Sequence, residues 1–221
     1  ETGSLANAAS FYVGIDADGT SNAWNGFIDE VKIYRSQRTA AELKSDYLGE
    51  SPSRGTAASF GPDQSYLSNG LVGYWNMDES TANSCTGGAN DNCDKSGNGY
   101  DGAWNGDATS GVGKFGSALS LDGTGDYLQT AEGANYSLNS FTIAAWIYRT
   151  SDTGNNEYVF DNRDANDDGY RFMVDGGDTP DFSRRRDRRA AHLGNGGDRV
   201  ANRPPRRRGP HHQPHASLRE G

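Results

Sequence analysis

The chain is poor in the residues that usually carry chemistry. It holds two cysteines and four histidines among 221 residues, and every histidine lies beyond residue 183. The first 182 residues therefore offer no Ser–His or Cys–His pair for nucleophilic catalysis and no His/Cys set for a transition metal. Long apolar runs are missing too. No stretch approaches the ~20 residues that cross a bilayer as a helix, and no secretory leader pattern is visible. The first residue is Glu rather than Met, so the missing leader excludes nothing. Basic residues are scarce up to residue 182, with 10 Lys and Arg against 27 Asp and Glu, a formal −17. That balance argues against nucleic acid and anionic membrane as partners, and against membrane insertion.

The balance inverts at Ser183. Residues 183 to 221 carry 11 Arg, no Lys and 3 acidic residues, a formal +8, together with four of the seven prolines. Aromatic residues are absent there, and Leu193, Val200 and Leu218 are the only large aliphatics. So little apolar surface cannot offset the entropy of ordering, and residues 179–221 are expected to form a disordered Arg/Pro/His-rich tail. Two origins fit it. One is an Arg-rich arm for an acidic surface or nucleic acid. The other is a translated wrong frame or cloning artefact, which suits the abrupt replacement of Lys by Arg in the middle of a series of strands.

What the body has is Gly, Asn, Asp and Ser between short apolar clusters. Cys85 and Cys93 flank a polar Gly/Asn loop, where an isolated pair points to a local disulfide of an exported protein, with two free thiols as the alternative. Strand patterns fall at Phe11 to Ile15, Gly26 to Tyr34, Leu71 to Met77, Ser117 to Leu121, Tyr127 to Leu128, Phe141 to Tyr148, Tyr158 to Phe160 and Tyr170 to Val174. In the second of these, period-two alternation puts Phe27, Val31 and Ile33 on the core face and Glu30 and Lys32 opposite. Asp29 shares the apolar face, where a carboxylate needs backbone N–H partners and ties down a neighbouring loop. Thr39-Ala-Ala-Glu42 is a capping box that opens a short helix over residues 39–48. Residues 50–70 lose periodicity and read as a linker. Many short strands with polar turns and a single helix indicate an all-β antiparallel sandwich.

The runs Leu71-Val-Gly-Tyr-Trp-Asn-Met-Asp-Glu79, Asp94-Lys-Ser-Gly-Asn-Gly99, Lys114-Phe-Gly-Ser-Ala-Leu-Ser-Leu-Asp-Gly123, Asp126-Tyr-Leu128 and Phe141-Thr-Ile-Ala-Ala-Trp146 resemble the first half of a laminin-G-like domain. Such domains are jelly rolls of the concanavalin A-like lectin and glucanase superfamily. Asn25 to Tyr34 and the helix after it resemble the family's closing strand and C-terminal helix. The resemblance implies residues 1–49 as the end of one module and 71–178 as the start of the next, an incomplete jelly roll cut from a tandem array. It also implies that Phe27 to Tyr34 can close beside Leu71 to Met77, since first and last strands are neighbours in that family.

Candidate ligand chemistry rests on Asp. Asp164-Ala-Asn-Asp-Asp-Gly169 fits a calcium-loop spacing through Asp164, Asn166 and Asp168, with Asp175 at the twelfth position. Against it, that position normally takes Glu and the flanks read as strands, so a hairpin turn is the plainer alternative. Asp94 and Asp126 form a second calcium candidate, carried over from relatives that bind the ion at loop edges. Trp75 and Trp146 sit inside strand patterns and are assigned to the core, whereas Trp24 and Trp104 stand beside turns and are the candidates for sugar contact.

The function expected is a non-catalytic extracellular recognition or adhesion module, secreted or at the cell surface. It would bind glycan or an extracellular protein through edge loops, with calcium as the conceivable cofactor. A glucanase-like glycoside hydrolase is the rival. The closely spaced acids of that class are missing, because Asp29-Glu30 and Asp78-Glu79 each point to opposite faces. A structural spacer is the third possibility.

Overall fold

Alternating apolar residues separated by Gly, Asn and Asp turns form eleven strands among the residues that the computed structural model describes, 9–49, 69–86, 88, 90–130, 136, 138, 140–165 and 167–185. In chain order they are β1 Tyr12–Val13, β2 Asn25–Tyr34, β3 Leu71–Trp75, β4 Gly102–Asn105, β5 Thr109–Val112, β6 Ser117–Asp122, β7 Tyr127–Thr130, β8 Thr142–Arg149, β9 Glu157–Asp161, β10 Gly169–Val174 and β11 Pro180–Arg185. One helix, α1 Ala40–Gly49, follows β2.

All strand pairs are antiparallel and lie in two sheets. The first sheet runs β11-β10-β9-β1-β7-β4. The second is built around β2. β8 pairs with β2 along nearly its full length, while the opposite edge of β2 takes β6 against Asn25–Ile28 and β3 against Val31–Tyr34. The expected closure of the N-terminal segment beside Leu71–Trp75 is therefore present, with Val31 opposite Trp75 and Ile33 opposite Gly73. β1 likewise lies between β7 and β9. The segments read as pieces of two modules share one core, in which Phe11 packs on Trp75 at 5.9 Å and on Phe160 at 5.7 Å between ring centroids.

Strand β2 departs from simple alternation. Its register against β8 shifts between Asp29 and Lys32, and Glu30 takes a φ of 54°. The extra residue is a β-bulge, and it reverses which face each side chain meets. Ile28, Val31 and Ile33 enter the core, while Phe27 and Asp29 stand on the outer face of the sheet. The expectation that Phe27 shares the core face with Val31 and Ile33 is thereby corrected.

Helix α1 begins with the anticipated capping box. The Thr39 N–H donates to Glu42 Oε2 at 2.7 Å, and the Glu42 N–H donates to Thr39 Oγ1 at 3.3 Å. A second correction concerns the tail. Residues 180–185, expected to be disordered, form β11 and pair with β10, with Phe182 opposite Phe172. Pairing with β10 satisfies the backbone of this segment. Residues 186–221 and the linker residues 50–68 lie outside the described residues. Along the far edge of β8 an open cleft of about 580 Å³ separates the sheets, lined by Phe141, Ile143, Phe160, Phe172 and Phe182 among others.

Candidate functional site

The outer face of the second sheet carries aromatic surface that the core does not use. Because the β2–β8 register sets Phe27 opposite Tyr148 and Asp29 opposite Trp146, these four side chains share that face. The turn between β5 and β6 adds Gly113 and Lys114, closing a groove of about 460 Å³. Phe27 and Tyr148 have ring centroids 6.1 Å apart. Trp146 lies between Tyr47 of α1, at 5.2 Å, and Phe115, edge-on at 5.9 Å. Tyr148 is 66 % exposed and Tyr47 55 %.

One carboxylate stands in the groove wall. Asp29 Oδ2 accepts the N–H groups of Lys114 at 2.7 Å and Phe115 at 3.0 Å, which is the loop-tying role expected from its place in the strand. A side chain at Gly113 would put a Cβ 2.3 Å from the Ser117 carbonyl and 2.7 Å from Asp29 Oδ2, so only glycine admits this approach. Asp29 Oδ1 is buried and has no hydrogen-bond partner among the described residues. Burial pushes the Asp29 carboxyl up to about 6, against the pull of the backbone N–H groups of Phe115, Lys114 and Glu30. The Lys114 ammonium sits 5.0 Å from the Trp146 ring centroid, a cation–π contact.

Beyond Trp146 a smaller hollow of about 240 Å³ runs beneath α1. Its floor is charged. Lys32 Nζ lies 3.1 Å from Asp46 Oδ1 and 3.7 Å from Glu30 Oε2, and all three residues are buried. The Tyr74 hydroxyl donates to Glu30 at 2.5 Å and the Tyr34 hydroxyl to Asp46 at 3.1 Å. Burial pushes Glu30 up to about 7, with the Tyr74 hydrogen bond and Lys32 opposing. Burial also raises both tyrosines.

Residues 122–203 match the laminin-G family model described as the concanavalin A-like lectin/glucanases superfamily. That match and the two antiparallel sheets support a laminin-G-like jelly roll. Searches of curated proteins and of solved structures gave no match. The matched residues include all of β7 to β11, and with them Trp146 and Tyr148 of the groove.

The fold distributes the calcium candidates instead of gathering them. Asp164 Oδ1 accepts the Asp168 N–H at 3.0 Å in the β9–β10 turn. Asp175 accepts from Gly177 at 2.9 Å and Thr179 at 2.8 Å in the β10–β11 turn. The six residues of β10 separate these turns, roughly 20 Å at ~3.3 Å per residue, so Asp175 cannot complete a loop around Asp164 and Asp168. Asn166 lies outside the described residues. Beside the first turn, Arg163 pairs with Asp161 and Asp167 at 2.5 Å each and with Asp16 at 3.4 Å, which places a cation within that acidic cluster.

Asp94 and Asp126 each serve their own loop. Asp94 accepts from the backbone of Tyr74 at 3.0 Å, Ser96 at 2.8 Å and Tyr100 at 3.0 Å. Asp126 accepts from the N–H groups of Asp107 at 2.8 Å and Asp122 at 3.1 Å. Among the described residues, the carboxylates that gather with Asp126 are those of Asp107 and Asp122, not Asp94. The disulfide between Cys85 and Cys93 is formed, with Cα atoms 5.2 Å apart.

The tryptophan assignments change as well. Trp24 is 1 % exposed and belongs to the core. Trp104 is half-buried against that core, and its indole N–H donates to Asn92. Trp24 therefore offers no open ring, while Trp104 keeps part of its surface exposed. Trp75 is in the core as expected, but Trp146 is on the outer face. The signal for that was present in β8: Ile143, Ala145 and Ile147 alternate, which leaves Ala144, Trp146 and Tyr148 for the opposite side.

Proposed function

We propose that this laminin-G-like domain is a non-catalytic recognition module of an extracellular protein, binding carbohydrate through the groove on the outer face of its second sheet. The observation that carries the reading is the row Tyr47, Trp146, Phe27 and Tyr148, whose ring faces can stack on the apolar face of a sugar, beside the polar Asp29 and Lys114. The disulfide supports an oxidising compartment. The face of the sheet is favoured over edge loops because Trp24 is withdrawn into the core and the loop aspartates are occupied by backbone donors.

Hydrolysis would need two carboxylates facing a cleft. Of the acidic pairs, Asp29 holds the β5–β6 turn, Asp78 accepts the Ser117 N–H at 2.9 Å, and Glu79 pairs with Lys95 at 2.8 Å. Glu30 is bound to Tyr74. The test is glycan-array screening followed by calorimetry on Tyr148→Ala and Trp146→Ala. Affinity is expected to fall about tenfold or more in each, the equivalent of ~1.4 kcal/mol, with the melting temperature of Tyr148→Ala unchanged. Binding that survives both substitutions would move the site to the edge loops, and release of reducing ends from β-glucans would make the domain an enzyme.

A further inference from the structure

The groove also specifies a charge. Three observations converge, and the inference rests on the glycan reading above. First, Asp29 Oδ1 is buried without a hydrogen-bond partner among the described residues, while Oδ2 is occupied by two backbone donors. A buried carboxylate oxygen left so is costly and is relieved by a donor, best by a cationic one. Second, Trp146, the cross-strand partner of Asp29, already holds an ammonium group over its ring, that of Lys114 at 5.0 Å. The ring is therefore a cation acceptor in this geometry, and Phe27 and Tyr148 extend the aromatic wall beside it. Third, residues 1 to 182 carry a formal −17, a field that draws cations to the surface and repels anions.

We propose that the groove selects a glycan bearing free amino groups, whose ammonium displaces the Lys114 side chain from Trp146 and pairs with Asp29. An N-acetylated or purely hydroxylated sugar can stack on the rings but brings no charge to Asp29. An acidic sugar meets both Asp29 and the negative field. Lys114 acts as the resident competitor, so it covers the site when no ligand is bound.

The pH dependence follows. Asp29 faces Lys114 from the hairpin, Glu30 on its own strand and Asp78 beyond β3, while the β8 neighbour Trp146 carries no charge. With its carboxyl held near 6, Asp29 loses its negative charge on acidification, and binding should weaken below about pH 6. It should weaken again on the alkaline side as the ligand amine loses its proton.

The experiment is calorimetric titration of the full chain at pH 7 with a glucosamine tetramer, its N-acetylated counterpart, a β-linked glucose tetramer and tetralysine. The glucosamine tetramer is expected to bind at least tenfold tighter than the other three. Lys114→Met should tighten it about threefold or more, because the competitor is gone, and Asp29→Asn should weaken it at least tenfold. Since Asp29 also holds the hairpin, the gain in Lys114→Met is the decisive readout. Equal binding of the N-acetylated and glucose tetramers would leave the glycan reading standing and remove the amine. Equal binding of tetralysine would reduce the effect to surface charge, and loss of binding in Lys114→Met would show that Lys114 itself grips an anionic group. Binding of no tetramer would remove both the amine and the glycan reading.

Discussion

Glu30 is where local geometry and burial meet. It occupies the left-handed region at φ 54°, uncommon for a side chain larger than Asn or Asp, and is 2 % exposed beneath α1. Its carboxyl rises from 4.5 in an open chain to about 7 in the fold, chiefly through burial. The folded protein thus holds this proton where the unfolded chain releases it, and Glu30 subtracts stability as pH rises from about 4.5 to about 7. Asp29, raised from 3.8 to about 6, acts in the same direction. Each unit corresponds to about 1.4 kcal/mol, so Glu30 alone contributes on the order of 2 kcal/mol between pH 5 and pH 8. Glu30→Gln keeps an acceptor for the Tyr74 hydroxyl and removes the charge. Denaturant midpoints at the two pH values should show wild type losing stability on the alkaline side and the variant losing about 1–2 kcal/mol less; identical slopes would assign the titration to another group. The sequence disclosed Asp29's role but not Glu30's burial. Alternation puts Glu30 and Lys32 on a solvent face, and nothing local says that a helix will cover it.

That covering helix docks through charge more than through grease. Leu43, Tyr47 and Leu48 of α1 remain 38 %, 55 % and 52 % exposed, whereas Asp46 is buried against Lys32 and Tyr34. Arg38 adds a cation–π contact at 4.5 Å over Tyr34. Asp46→Ala would take from the Lys32 ammonium its nearer described carboxylate and deprive the Tyr34 hydroxyl of the Asp46 acceptor. Removing one member of a buried pair costs about 3–5 kcal/mol. A loss of that size is expected, with faster amide exchange in residues 40–49 and a red shift of tryptophan emission as Tyr47 leaves Trp146. A loss under ~1 kcal/mol would mean that the apolar contacts hold the helix. The start of α1 was readable because a capping box is purely local. β4, β5 and β11 were not: β5 is Thr-Ser-Gly-Val on a sheet edge, and β11 ends in Arg, so neither shows the alternation that burial on one face imposes.

At the scale of the molecule, the order of segments along the chain differs from their order in space. The pairing of residues 27–34 beside 71–77 could be anticipated from the family's neighbouring first and last strands, while the parity switch in β2 could not, because a bulge is set by tertiary contacts on both sides of Glu30. The result gives the N-terminal segment a structural role out of proportion to its length. β2 is hydrogen-bonded to β3, β6 and β8, and β1 bridges β7 to β9. Trp24, Ile28, Val31 and Ile33 from the same segment fill the shared core. A chain starting at Asn69 loses all of these pairings at once, more than the about 5–15 kcal/mol by which domains are stable can absorb. It should show no cooperative unfolding transition, and Trp75 should emit as in water. Because residues 9–49 meet the rest of the chain through strand pairing and a shared core, adding them as a separate peptide should restore both the transition and a blue-shifted emission at a one-to-one ratio. Cooperative unfolding of the truncated chain at the wild-type midpoint would instead show that residues 69–185 make a sandwich by themselves and that β2 only decorates it.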